Sequence, residues 1–198
     1  PDAMQEPPPT HYDSFAYLAQ FMDGNRIDLT IYPVARLGEM ARDSQSILLL
    51  DKDGCVEPFG PPSDGDYLPQ PPSERAFVFC CNEFWWVSTY VAKGLWRDEL
   101  PYARQHLEEV LRQQLHKMLV WRFGVQTDFA VSPGKLGKYL QRQLEPALWE
   151  QWLQSCAGGS VEAHWAALEA ICSLFRSVAL DVAAHFSYAY PLADDERV

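Results

Sequence analysis

The sequence predicts an α+β chain, the remnant of a small β-sheet followed by a bundle of about five helices. Three observations carry this. Two short apolar runs flank Asp23-Gly24-Asn25, the pattern of a β-hairpin. A stretch rich in Pro, Gly and Asp over residues 57–73 then interrupts all periodicity and reads as a linker or fixed surface loop. From Ser73 onward the apolar residues recur every three or four positions, the spacing of helices.

The opening residues, PDAMQEPPPTHYDSF, read as a loop. Residue 1 is Pro rather than Met and nothing precedes the loop, so further sequence upstream is expected. The hairpin pairs Phe15–Met22 with Arg26–Tyr32. In its second strand, period-2 alternation puts Ile27, Leu29 and Ile31 on one face and Arg26, Asp28 and Thr30 on the other. Pro33 ends that strand. A short helix over Leu37–Arg42 and a third strand over Ser46–Leu50 are expected next, the latter closing on the turn Asp51-Lys52-Asp53-Gly54. Three strands make a poor sheet by themselves.

Ser73 is placed to cap a helix running to about Arg97, with Gly94 a local weakness. Pro101 suits the first turn of the next helix, which is expected to bury Leu107, Val110, Leu111, Met118 and Leu119 and to stop at Gly124. A piece around Leu136–Leu144 precedes a Trp-rich helix over Pro146–Cys156. Gly158-Gly159 breaks it, and Ser160 caps the last long helix. There Val161, Trp165, Leu168, Cys172, Phe175, Ala179, Val182 and Phe186 keep the 3.6-residue period. The division into domains falls at 1–66 and 67–198.

The 198 residues are 47% apolar, enough for a genuine core, and carry a net charge of −11. That sign argues against nucleic acid or an anionic membrane as partner, since both require a basic surface. The oligomeric state is not encoded legibly. Five cysteines without CxxC spacing give neither a zinc site nor a disulfide framework, and a reducing cytosol is the simplest setting. No run of eighteen apolar residues or signal peptide is present.

The most unusual stretch is CCNEFWWVSTYVAKGLWR, residues 80–97. On a helix, Glu83, Trp86, Tyr90, Lys93 and Arg97 share one face, while Phe84, Val87, Val91 and Leu95 form ordinary core. An acid, two large rings and two cations along one face suit a ligand wall. The plainer alternative is that the rings pack under a loop and the charges are solvated. Asp28 points with Arg26 and Thr30 to the polar strand face, where it is a solvated carboxylate unless others join it around a Mg²⁺ ion. Asp51 and Asp53 lack the Glu of a calcium loop. Nucleophile-elbow, P-loop and zinc-protease motifs are absent, the histidines are scattered, and Cys80-Cys81 read as small apolar residues at a helix start.

Four segments taken together, FMDGNRIDLTIYPV, LLLDKDG, CNEFWWVSTYVAKGLWRDELPYA and KMLVWRFGVQTDF, resemble the aminoglycoside 6-adenylyltransferases (streptomycin adenylyltransferases). The helical end FSYAYP fits as well. The resemblance implies a polymerase-beta-like nucleotidyltransferase, with a mixed-sheet catalytic domain ending near residue 66 and a helical, substrate-binding domain after it. It implies transfer of AMP from ATP to an aminoglycoside hydroxyl, with Mg²⁺. It also implies a preceding stretch with a Gly-Ser motif for the triphosphate and a metal-binding Asp-x-Asp pair. No such stretch precedes the hairpin here, so this chain alone is expected to be inactive. The strand carrying Asp28 matches the one that supplies the third carboxylate of the family's site, as metal ligand or base.

The other assignments rest on helix geometry and chemistry. Lys93 can meet phosphate as a point charge. Glu83 can face guanidinium groups or act as the base. Trp86 and Tyr90 can cover sugar rings or attract cations through their faces. Two other readings stand beside this one: a non-catalytic binding or interaction module derived from such an enzyme, and a nucleotidyltransferase with a different acceptor.

Overall fold

The computed structural model describes residues 14–198, which divide into two compact units meeting at Ser63 and Asp64. The loop expected at the start lies almost wholly outside the described residues. Among them, no helix is long and apolar enough to cross a membrane.

The first unit is built on an antiparallel hairpin, β1 (Phe15–Gln20) and β2 (Arg26–Ile31), with Leu18 opposite Asp28. The turn is fixed locally. The Asp23 carboxylate accepts from the Asn25 amide at 3.0 Å, and Gly24 sits at a left-handed φ of 86°. Ile27, Leu29 and Ile31 remain more than half exposed, so within this unit the apolar face of β2 is uncovered. A single 3₁₀ helix, Val34–Glu39, stands where a helix over Leu37–Arg42 was expected. The strand expected at Ser46–Leu50 does not form: the segment has no ladder partner among the described residues, and Leu49 is 91% exposed. A hydrophobic run becomes a strand only where another edge accepts its backbone groups. The Asp51 turn does form, its carboxylate accepting from the amides of Gly54 and Val56, both at 2.9 Å. The Val56 bond is the chief reason its pKa is lowered.

The second unit is helical. A 3₁₀ turn at Gly65–Tyr67 leads to α1 (Glu74–Trp96), whose N-cap Ser73 accepts from the Ala76 amide at 3.2 Å. Such a cap contributes about 1 kcal/mol. Next comes one continuous helical rod: α2 (Leu100–Gln105), a π-helical turn over His106–Leu111, and α3 (Arg112–Gln126). It buries Leu107, Leu111, Leu115, Met118 and Leu119, whereas Val110 is only half-buried. The rod does not stop at Gly124. That glycine lies inside α3, and a Cβ there would run into the Phe129 ring, which folds back while the Phe129 amide bonds the Gly124 carbonyl at 2.7 Å. Gly124 therefore serves a close approach, and the chain turns through Asp128 and Phe129, both at left-handed φ.

Two short helices follow, α4 (Leu140–Gln143) and α5 (Pro146–Gln154), with Pro146 in the first turn of α5. The long helix α6 (Val161–Phe186) is capped by Ser160, which accepts from Ala163 at 3.1 Å. Its buried face is wider than the expected stripe. It adds His164, Ile171, Leu174 and Val178, while Val161, Trp165, Cys172 and Phe186 lie half-buried along its edge. The centre of the core is the Phe84 ring of α1 stacked on Phe175 of α6 at 3.7 Å and 3°. A last short helix, α7 (Leu192–Asp195), is anchored by the buried Asp195, which accepts from Arg176 and from the Tyr190 hydroxyl, each at 2.7 Å.

Candidate functional site

Burial of Phe84, Val87, Val91 and Leu95 fixes the rotation of α1 and turns the opposite face outward. On that face the Trp86 indole N–H donates to the Tyr90 hydroxyl at 2.7 Å, and the Lys93 ammonium lies 4.7 Å from the centroid of the Tyr90 ring. Three of the sequence-predicted residues thus form one connected row. Trp86 is 65% exposed, so this is a surface rather than a packed interior. Trp86 also borders a cleft of about 400 Å³ shared with Asn82, Thr89, Asp194 and Arg197. Glu83 lies one turn before Trp86, half-buried, and has no hydrogen-bond or ion-pair partner among the described residues. Arg97 is the C-cap of α1.

The structure adds Tyr102 to this face, and with it His106, one of the scattered histidines. The tight connection over residues 97–99 makes the first turns of the next helix an antiparallel neighbour of the end of α1. Gly94 is where they meet, since a Cβ there would lie 2.9 Å from the Tyr102 ring. The ring of His106 then stands edge-on to Tyr90 at 5.8 Å and against Tyr102 at 4.3 Å, with Nδ1 2.9 Å from the Tyr102 carbonyl. His106 begins the π-helical turn, a local rearrangement that often accompanies functional positions. The short connection after α1 was the available signal, because it forces antiparallel packing.

Asp28 belongs to the first unit. It forms a two-pronged ion pair with Arg26, at 2.8 and 2.9 Å, on the polar face of β2. Both side chains are more than half exposed, which limits what the pair contributes to stability. No group of three or more His, Cys, Asp or Glu side chains that could hold a metal ion occurs among the described residues. One carboxylate already engaged by a guanidinium is not a Mg²⁺ site, which needs several oxygen ligands. The residues described here therefore do not fit the ion by themselves. Cys80 and Cys81 are buried, and burial pushes the Cys80 thiol up to about 12, which removes them as nucleophiles.

The family model for streptomycin adenylyltransferase matches residues 1–198. The chain belongs to that family. It is 38% identical over 183 residues to an aminoglycoside 6-adenylyltransferase of Campylobacter jejuni, covering 92% of this chain and 64% of the relative. It is 34% identical over 197 residues to one of Bacillus subtilis, covering 98% and 69% respectively. The crystal structure of an aminoglycoside 6-adenyltransferase from Bacillus subtilis superposes with a TM-score of 0.61 at 35% identity, over 98% of this chain and 71% of that one. The chain thus spans about two thirds of the length of the adenylyltransferases it matches. Within this family assignment, the α+β order of hairpin first and helical region second is the expected one.

Proposed function

We propose that the chain forms part of an enzyme that transfers AMP from ATP to a hydroxyl of an aminoglycoside, with the helical unit binding the aminoglycoside. The family match over the whole chain is the observation that carries this reading. Division into a nucleotidyltransferase part, residues 1–66, and a substrate-binding part, residues 67–198, goes with it.

In this reaction the acceptor oxygen forms a bond to the α-phosphorus, the bond to pyrophosphate breaks, and the hydroxyl proton leaves to a carboxylate. The outward face of α1 supplies the binding chemistry. Glu83, unpaired among the described residues, sets a negative charge against a polycationic acceptor. Trp86 and Tyr90 offer ring faces to sugars or cations, and their mutual hydrogen bond holds both rings in register. Lys93 meets phosphate with a point charge. Asp28 or Glu83 takes the proton. A Mg²⁺ ion would supply neutralisation of phosphate oxygens, and Asp28 would be one of its ligands. No step is assigned through it, because Asp28 alone does not hold it.

The test is calorimetric titration of streptomycin into the purified protein at two salt concentrations. One saturable site whose affinity weakens at high salt is expected. Absence of saturable binding would overturn the assignment of the helical unit to the aminoglycoside. A second reading, a binding module without catalysis, predicts the same titration but no transfer of AMP from ATP to streptomycin by the full-length protein.

A further inference from the structure

Between α3, the 3₁₀ turn Lys135–Gly137 and α5 lies a cleft of about 510 Å³, and none of its lining residues belongs to the α1 face. That volume falls within the range of small-molecule sites. One side is aromatic: the rings of Trp149 and Trp152 stack 4.8 Å apart at 7°. The cations Arg112, Lys117 and Lys138 also line it, and no Asp or Glu does. In a chain of net charge −11 this is a local reversal of sign.

The three cations differ in what already holds them. Arg112 is committed: it lies over the Trp152 ring at 5.6 Å, donates to the Ser155 hydroxyl and carbonyl at 2.6 Å, and pairs with Glu108. Lys117 donates only to the amide oxygen of Gln114, at 3.2 Å, and Lys138 lies over the Tyr139 ring at 4.9 Å. Among the described residues, neither lysine is paired with a carboxylate. Burial lowers the pKa of His116, which therefore adds a neutral imidazole rather than a fourth charge.

Leu136, also in the lining, supplies a separate observation. Its backbone is left-handed, φ 56°, and its side chain is 86% exposed. A left-handed β-carbon residue is strained, and such strain concentrates at ligand clamps. Here it holds an isobutyl group in water at the cleft.

We propose that this cleft is a second small-molecule site, separate from adenylyl transfer, that takes a planar aromatic anion. The ring of the ligand lies against Trp149 and Leu136, and its acid group is drawn to Lys117 and Lys138. Stacking supplies the contact area, and the two lysines select for negative charge.

Three probes separate the contributions: naphthalene-2-sulfonate, the neutral naphthalene-2-methanol, and inorganic sulfate, each titrated calorimetrically into the purified protein. The sulfonate is expected to saturate one site and to bind at least tenfold more tightly than either of the others. The double variant Lys117→Met/Lys138→Met changes only exposed side chains. It should weaken the sulfonate about tenfold and leave the neutral alcohol unchanged. Trp149→Ala should weaken both aromatic probes, and Lys93→Met neither. Equal affinity for sulfonate and alcohol would overturn the proposal. So would a double-lysine variant that titrates like the parent, or loss of sulfonate binding in Lys93→Met, which would move the site to α1.

Discussion

The indole N–H of Trp86 donates a 2.7 Å hydrogen bond to the hydroxyl of Tyr90, one turn further along α1. Neither partner is buried, so the bond does little for the core. Its effect is to hold two large rings on one outward face, beside the Lys93 ammonium and the His106 ring. An exposed face fixed in this way has less side-chain freedom left to lose, which would lower the cost of binding a ligand there.

The residues of this face should separate by substrate. Glu83→Gln is expected to weaken streptomycin roughly three- to tenfold and to flatten the salt dependence, since it removes one charge facing a polycation. Lys93→Met should act mainly on ATP. Tyr90→Phe removes the acceptor of the Trp86 bond and should weaken streptomycin with little change in melting temperature. Calorimetric titrations paired with thermal melts check all three. Unchanged affinities in all three folded variants would reduce α1 to an ordinary bundle helix.

Asp195 should matter for stability rather than for binding. Its carboxylate is only 4% exposed and joins Arg176 of α6 to the Tyr190 hydroxyl. Asp195→Ala leaves both donors without their acceptor and should cost about 2 kcal/mol, less than a fully buried pair because Arg176 still reaches water. Asp195→Asn, which keeps one acceptor oxygen, should cost less. Urea denaturation measures the difference, and a loss below about 0.5 kcal/mol for the alanine variant would contradict the anchoring role.

Acid should loosen the junction of α3, α5 and α6. There Arg122 bonds Glu145 and Asp181 at 2.8 Å, and Gln126 adds a 2.7 Å bond to Glu145. The Arg122 bonds above all hold the Glu145 carboxyl down to about 2, against an ordinary value of 4.5. A carboxyl depressed on folding stabilises fully above its unfolded pKa and loses that contribution as pH falls through its folded one. The window here runs from about 4.5 down to about 2. Melting temperature should fall across that window, and less steeply in Glu145→Gln. Parallel profiles for parent and variant would refute the assignment.

The thiols should divide by burial. Cys80 and Cys172 are pushed up to about 12 by desolvation, and Cys81 is raised as well for the same chief reason. Cys55 and Cys156 are exposed. Thiolate, not thiol, is the reactive form. Ellman's reagent at pH 8 should therefore label Cys55 and Cys156 rapidly and the other three only after denaturation. Fast reaction of all five in the native protein would show that the helical core opens readily.

What the sequence determined by itself is whatever depends on near neighbours along the chain. Ser73 and Ser160 cap the two long helices because a hydroxyl accepts from an amide three residues ahead, wherever the helix later packs. Asp23-Gly24-Asn25 closes the hairpin by the same local logic, and the 3.6-residue period already showed which side of α1 is core. The row Glu83, Trp86, Tyr90, Lys93 followed from that period alone.

Tertiary structure decided what depends on partners distant in sequence. Ser46–Leu50 looked like a strand, but no edge accepts it among the described residues. Gly124 looked like a helix stop, but the returning Phe129 ring needs the space within α3. His106 was one of several scattered histidines until antiparallel packing brought it to Tyr90. The cationic cleft collects residues from α3, the Lys135–Gly137 turn with Lys138 after it, α4 and α5, each unexceptional in its own segment. Local hydrogen bonds and periodicity are written in successive residues, whereas burial, charge reversal and steric room arise only when separate segments meet.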